Sequence, residues 1–113
     1  RSVLLTGPQD IAAGPDGTAY AMPGGSALMA YVTGTGCMLS VLCGAFAAVE
    51  PDMTAAAALA SAFWKLCAAR AEENAAGRGP GSFRAALLDA AWAITVEEFH
   101  TACGGICLRP VLR

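Results

Sequence analysis

The chain has 113 residues, enough for one small domain with a single modest core and too few for two. Apolar residues make up 56% of it and charged residues 14%, which excludes intrinsic disorder and a solvent-bathed helical rod. Seven Lys and Arg against nine Asp and Glu leave a net charge of -2, too little positive charge to neutralise a nucleic-acid backbone, so nucleic acid is not an expected partner.

The chain opens on Arg1 without a methionine or a charged-then-apolar leader, and further sequence is expected upstream. Val3-Leu4-Leu5, stopped by Thr6-Gly7-Pro8, predicts a buried strand and a turn. Asp10–Ala13 and Thr18–Met22 flank Gly14-Pro15-Asp16-Gly17, and the Asp-Gly pair between two short runs predicts a hairpin. From Cys37 to Val49, Leu39, Leu42, Cys43, Phe46 and Val49 recur at helical spacing with no charge on the opposite face, so this helix should be buried nearly all round. Met53 to Ala76 reads as an alanine-rich helix with Leu59, Phe63 and Leu66 on one face and charges near its end at Arg70, Glu72 and Glu73. Gly77 to Gly81 breaks it. Ser82 is then expected to cap a third helix whose stripe is Phe83, Leu87, Leu88, Ala91 and Trp92. Thr95-Val96-Glu97-Glu98 is the capping box of a fourth helix, with Gly104-Gly105 closing it and an extended tail from Ile106 to Arg113. Strands followed by three to four helices give an α/β piece in which the partner layers of the core are missing. An isolated chain of this kind is expected to associate through its bare apolar faces.

Three features invite other classes and are set aside. No Lys, Arg, Asp or Glu stands between Asp16 and Glu50, a run long enough for a bilayer, with Gly36, Ser40 and Gly44 at the spacing of packed membrane helices. Pro23-Gly24-Gly25 and Thr33-Gly34-Thr35-Gly36 interrupt that run and its flanks are acidic, so no membrane span is expected. Five cysteines, an odd number spread through apolar stretches, fit a reducing cytoplasm better than a secreted disulfide framework. Cys103 and Cys107 lack the four ligands of a closed zinc site, His100 being the chain's single imidazole, so no metal ligands are assigned among these residues.

The chemistry concentrates at Val32-Thr33-Gly34-Thr35-Gly36-Cys37, where a glycine loop enters a helix. Backbone N–H groups there lack helical acceptors and the helix dipole adds positive character, so an anion would sit well on Gly34, Thr35 and Gly36. Cys37 and Met38 replace the Lys-Ser/Thr of the nucleotide loop, and Leu39 replaces the third glycine of the dinucleotide fingerprint. Cys37 at a helix N-terminus is a candidate proton acceptor or nucleophile, against the plainer reading of a packed thiol. A Cys-His pair with the distant His100 would depend wholly on folding.

Four blocks together resemble a known family: Val32 to Ser40, Ala45 to Glu50, Gly79-Pro80-Gly81-Ser82-Phe83 and Leu87-Leu88-Asp89-Ala90, preceded by Leu5-Thr6-Gly7 and Asp10-Ile11. In order and spacing they look like the C-terminal region of hydroxyethylthiazole kinase, over nearly the whole chain up to about Trp92. The resemblance implies residues 1–113 as a C-terminal portion of a ribokinase-like fold, incomplete as a domain and without an internal boundary. It implies transfer of the γ-phosphate of ATP, with Mg2+, to the hydroxyl of 4-methyl-5-(2-hydroxyethyl)thiazole in thiamine biosynthesis or salvage, by a homo-oligomer that is trimeric in the family. By position, Thr6 would contact ATP, Gly34 would lie at the thiazole, Gly34 to Cys37 would form the anion hole, and Cys37 would stand where related sugar kinases place an aspartate base. Another ribokinase-like small-molecule kinase and an inactive piece remain the alternatives. The chain departs from the family at Gly24-Gly25-Ser26-Ala27 and at Trp64-Lys65-Leu66-Cys67, neither of which is expected to touch the loop. Gly79 to Phe83 reads as a helix-start turn, or else as backbone walling the nucleotide pocket.

Overall fold

The computed structural model describes residues 1–103 and the backbone of a short strand at 109–110. Its elements are β1 (Val3–Leu5), β2 (Asp10–Ala13), β3 (Ala19–Met22), a 3-10 turn (Ala27–Tyr31), α1 (Thr35–Ala47), α2 (Met53–Asn74), α3 (Pro80–Ala93), α4 (Val96–Ala102) and β4 (Arg109–Pro110). The α/β order read from the sequence stands. The 3-10 turn, capped by the Ser26 hydroxyl on the Leu28 N–H, was not foreseen. The closing glycines of the fourth helix, Cys107 and the tail outside 109–110 lie beyond the described residues; Arg109–Pro110 within that tail is extended and pairs with β3.

The sheet runs β1-β2-β3-β4 with every neighbour antiparallel. Its hairpin forms at the Asp-Gly pair: Gly17 takes a positive φ of 85°, and the Asp16 carboxylate accepts the Thr18 N–H at 3.0 Å. In this register Leu4 lies opposite Ala12 and Ala12 opposite Tyr20, and Leu4, Ala12 and Met22 pack with Ala58 and Ala62 of α2. The strand expected to be buried is instead an exposed edge. Val3 and Leu5 point away from Leu4, and no layer among the described residues covers them.

α2 is the axis of the molecule. Asp52 caps it by accepting the N–H groups of Thr54 and Ala55. Its buried residues are mostly small, Ala56, Ala58, Ala60, Ser61, Ala62, Cys67, Ala68 and Ala71, because alanines let the sheet, α1 and α3 approach from several sides. The larger Leu59, Phe63 and Leu66 are only half-buried, and Phe63 joins Phe46 of α1 and Phe99 of α4 in a ring cluster with centroids 5.5–6.2 Å apart.

Two helix starts and two apolar stripes differ from expectation. α1 begins at Thr35, with Gly34 at its N-cap, and only Leu39 of its 13 residues is buried, since among the described residues α2 is its main cover. α3 begins at Pro80 rather than at a Ser82 cap, because proline at the first helical position is preset for the helix and needs no N–H acceptor. Its stripe is Phe83, Leu87 and Ala90, which turns Leu88 and Trp92 outward, Trp92 being 90% exposed. The capping box of α4 forms as read, Thr95 Oγ1 accepting the Glu98 N–H at 3.1 Å.

Candidate functional site

A cavity of about 610 Å³ opens where the sheet, α1 and α2 meet. The β1–β2 turn contributes Thr6, Gly7 and Pro8, the loop after β3 contributes Gly24, Gly25 and Ser26, α1 contributes Thr35, Gly36 and Leu39, and α2 contributes Trp64 and Lys65. A groove of about 370 Å³ between β1 and α1 shares Thr6, Gly36 and Leu39 with it and is also lined by Cys43, whose thiol burial pushes above its usual range.

Gly34 turns the chain into α1 with φ +95°, a conformation that favours glycine. No side chain caps this end and no acidic residue stands in the first turn. The first helical bond runs from the Met38 N–H to the Gly34 carbonyl at 2.9 Å, so the N–H groups of Thr35, Gly36 and Cys37 precede the helix's own ladder. Gly36 is exposed, and a Cβ built on it would meet nothing within 4 Å. Packing within the chain therefore does not require glycine at this position.

The expected site residues are only partly gathered. Thr6, Thr35 and Gly36 line the cavity, whereas Gly34 and Cys37 do not, Cys37 being exposed on the first turn of α1. His100 is exposed on α4, and Gly79 to Phe83 contributes nothing to the cavity.

Four residues of the site escaped sequence reasoning: Asp10, Ser61, Trp64 and Lys65. The expectation that Trp64 stands apart from the loop is corrected by its contact, whereas Lys65 binds other walls of the cavity. The indole of Trp64, 4% exposed, donates from Nε1 to the Thr35 carbonyl at 3.1 Å. The Lys65 ammonium donates to the carbonyls of Gly24, Pro8 and Gly7 at 3.1, 3.3 and 3.5 Å and lies 3.6 Å from Asp10 Oδ1. Asp10 also accepts the Gly7 N–H at 3.0 Å and the Ser61 hydroxyl at 2.7 Å. The available signal was a single lysine set mid-helix, one turn after Ser61 and away from the charged end of α2.

Among the described residues no group of three or more His, Cys, Asp or Glu converges where a metal could bind. The cavity's carboxylate, Asp10, is already committed to Lys65, Ser61 and Gly7, so these residues do not form a magnesium site. No described helix is long and apolar enough to cross a membrane.

The family model of the hydroxyethylthiazole kinases matches residues 2–97. The chain belongs to that family. It is 43% identical over 95 residues to a hydroxyethylthiazole kinase of Desulforudis audaxviator, covering 84% of this chain and 34% of the relative. It is 42% identical over 102 residues to one of Desulfotalea psychrophila, covering 89% and 36%. A solved hydroxyethylthiazole kinase structure from Pyrococcus horikoshii superposes with a TM-score of 0.77 at 31% identity, over 97% of this chain and 41% of that one. This hydroxyethylthiazole kinase family chain thus spans about a third of the curated relatives it matches, and its strands-then-helices architecture corresponds to part of a ribokinase-like fold.

Proposed function

We propose that residues 1–113 form the C-terminal portion of a kinase that moves the γ-phosphoryl group of ATP onto the hydroxyl of 4-methyl-5-(2-hydroxyethyl)thiazole in thiamine biosynthesis or salvage. The observation that carries this reading is the family match over residues 2–97, with an uncapped helix N-terminus opening into the cavity at Gly36. Loose phosphoryl transfer leaves the protein mainly positioning and charge stabilisation to supply. In this reading the N–H groups of Thr35, Gly36 and Cys37 and the positive pole of α1 hold the charge on the migrating group, and Thr6 contacts ATP across the cavity. The alcohol oxygen, placed near Gly34, bonds to the γ-phosphorus while the bond from that phosphorus to the β–γ bridging oxygen breaks and ADP leaves. Cys37, acting as its thiolate, takes the alcohol proton on its sulfur and becomes the neutral thiol. Magnesium, which the family implies, gains no protein ligands here and enters no step. The cytoplasm and an oligomeric assembly belong to the same proposal.

The test is steady-state turnover of ATP and the thiazole alcohol by this chain completed with the rest of the kinase. Loss of a general base costs ~10²–10⁴-fold, and a loose transition state places Cys37→Ala near the lower end, with Cys37→Asp retaining activity. Gly36→Val should cost more than Cys37→Ala, because its side chain occupies the phosphoryl approach. Unchanged turnover in Gly36→Val overturns the anion hole, and unchanged turnover in Cys37→Ala overturns the base. Phosphorylation of a different alcohol in preference to the thiazole would select another ribokinase-like kinase.

A further inference from the structure

Lys65 is the chain's only lysine, and it is buried, its side chain 9% exposed beside an Asp10 side chain 8% exposed. An ammonium withdrawn from water is costly unless its donors are satisfied. Here the acceptors come from three places: Gly7 and Pro8 in the β1–β2 turn, Gly24 in the loop after β3, and Asp10 at the start of β2. The turn and the loop are both walls of the 610 Å³ cavity. Gly25, at φ +87°, presses against the same side chain, since a Cβ there would lie 3.3 Å from Lys65 Cγ. Ser61, one turn before Lys65 on α2, holds the other oxygen of Asp10 at 2.7 Å.

We infer that Lys65 is a positioning residue: its ammonium ties the Thr6-bearing turn to the Gly24–Ser26 loop over α2, and so sets the width of the cavity that receives the nucleotide. It is not a phosphate ligand, because its donors already have carbonyl acceptors. A second tether, the Ser26 hydroxyl donating to Glu72 Oε1 at 3.1 Å, is exposed, which leaves Lys65 as the buried fastening of that loop. The inference about binding rests on the nucleotide reading of the cavity; the inference about the tie does not.

Two measurements separate the two, hydrogen exchange on the 113-residue chain and ADP titration on that chain completed with the rest of the kinase. Lys65→Met removes the ammonium but leaves Asp10 buried and unpaired, so Lys65→Met/Asp10→Asn serves as the variant without an orphaned charge. Hydrogen exchange is followed in peptides covering residues 6–10 and 23–26, with residues 83–90 of α3 as internal reference. Both wall segments should exchange at least about tenfold faster in the double variant while the reference stays unchanged, the scale expected when a satisfied buried network is lost. Unchanged exchange in both wall segments of a folded double variant overturns the tie. Titration of the completed kinase with ADP gives the second readout: if the parent kinase binds ADP, the double variant should bind about tenfold more weakly, and equal affinity overturns the positioning role. If the completed parent binds no ADP, the nucleotide reading fails, and the exchange result still decides whether Lys65 fastens the walls.

Discussion

α1 and α2 lie against each other, yet their burial runs opposite to their composition. α1 carries no charged residue and buries only Leu39, leaving Val41 74% exposed. α2 carries Lys65, Arg70, Glu72 and Glu73 and buries half of its 22 residues, including the lysine. Hydropathy states what a helix can bury; the layers around it decide what it does bury. α2 has the sheet on one side and α1, α3 and α4 on others, whereas α1, among the described residues, packs mainly on α2, with Phe99 of α4 reaching it at Phe46. The relatives are about two and a half times as long as this chain, so the open face of α1 and the exposed edge at Val3 and Leu5 are where we propose that the rest of such a kinase packs.

The largest contrast between the two helices should be in thiol reactivity. Cys37 on α1 is exposed, whereas burial pushes the Cys67 thiol on α2 up to about 12. Iodoacetamide at pH 8, followed by mass spectrometry, should modify Cys37 rapidly and Cys67 only when the chain opens. The same shift makes stability depend on pH. A folded-state value raised above the unfolded value of about 8.5 stabilises the native state fully below pH ~8.5, and the contribution is lost as pH rises from there toward 12. Melting temperature should therefore fall across that alkaline window, and less steeply in Cys67→Ala. Equal alkylation of both thiols in the folded chain would erase the contrast.

Next in size is the packing of α3 on α2. Phe83 is fully buried in the main core cluster, and Phe→Ala substitutions at such positions cost ~3–5 kcal/mol. Phe83→Ala should abolish or sharply lower the cooperative melt seen by calorimetry. A loss under about 1 kcal/mol would mean that the α2 core collapses freely around the gap, and that its packing is no tighter than that of α1.

What could be read from the sequence was local. The Asp16-Gly17 hairpin and the Thr95–Glu98 capping box are decided within four residues by turn geometry and one side-chain bond, and both formed as read. The start of α3 was misplaced because two local signals compete there, and Pro80 at the first helical position outranks Ser82. The burial of α1 and β1 was misread because it depends on elements distant in sequence. At the site, Gly34, Thr35 and Gly36 were legible as a loop entering a helix, and Gly34 takes a φ of +95°, a conformation that favours glycine and was not read from the sequence. Lys65 was not, since a lysine in an alanine-rich helix ordinarily reads as solvated, and its acceptors lie 41 to 58 residues away.

The smallest effect should come from Val41. With 74% of its surface already in water, it gains little from folding within these 113 residues, so Val41→Ser should change the chain's stability by no more than about 0.5 kcal/mol. Its larger consequence should be colloidal. Val41 and Val49, 80% exposed, both lie on or beside a helix without charge, and such a face drives association. Light scattering of Val41→Ser should show less self-association than the parent at equal concentration, with an unchanged melt. If the open face of α1 is a packing surface of the complete kinase, the same substitution made there buries a hydroxyl against an apolar layer and should cost ~1–3 kcal/mol. Equal, small effects in the short and the completed chain would show that α1 stays bare in both, and the difference between α1 and α2 would then need a cause other than a covering layer.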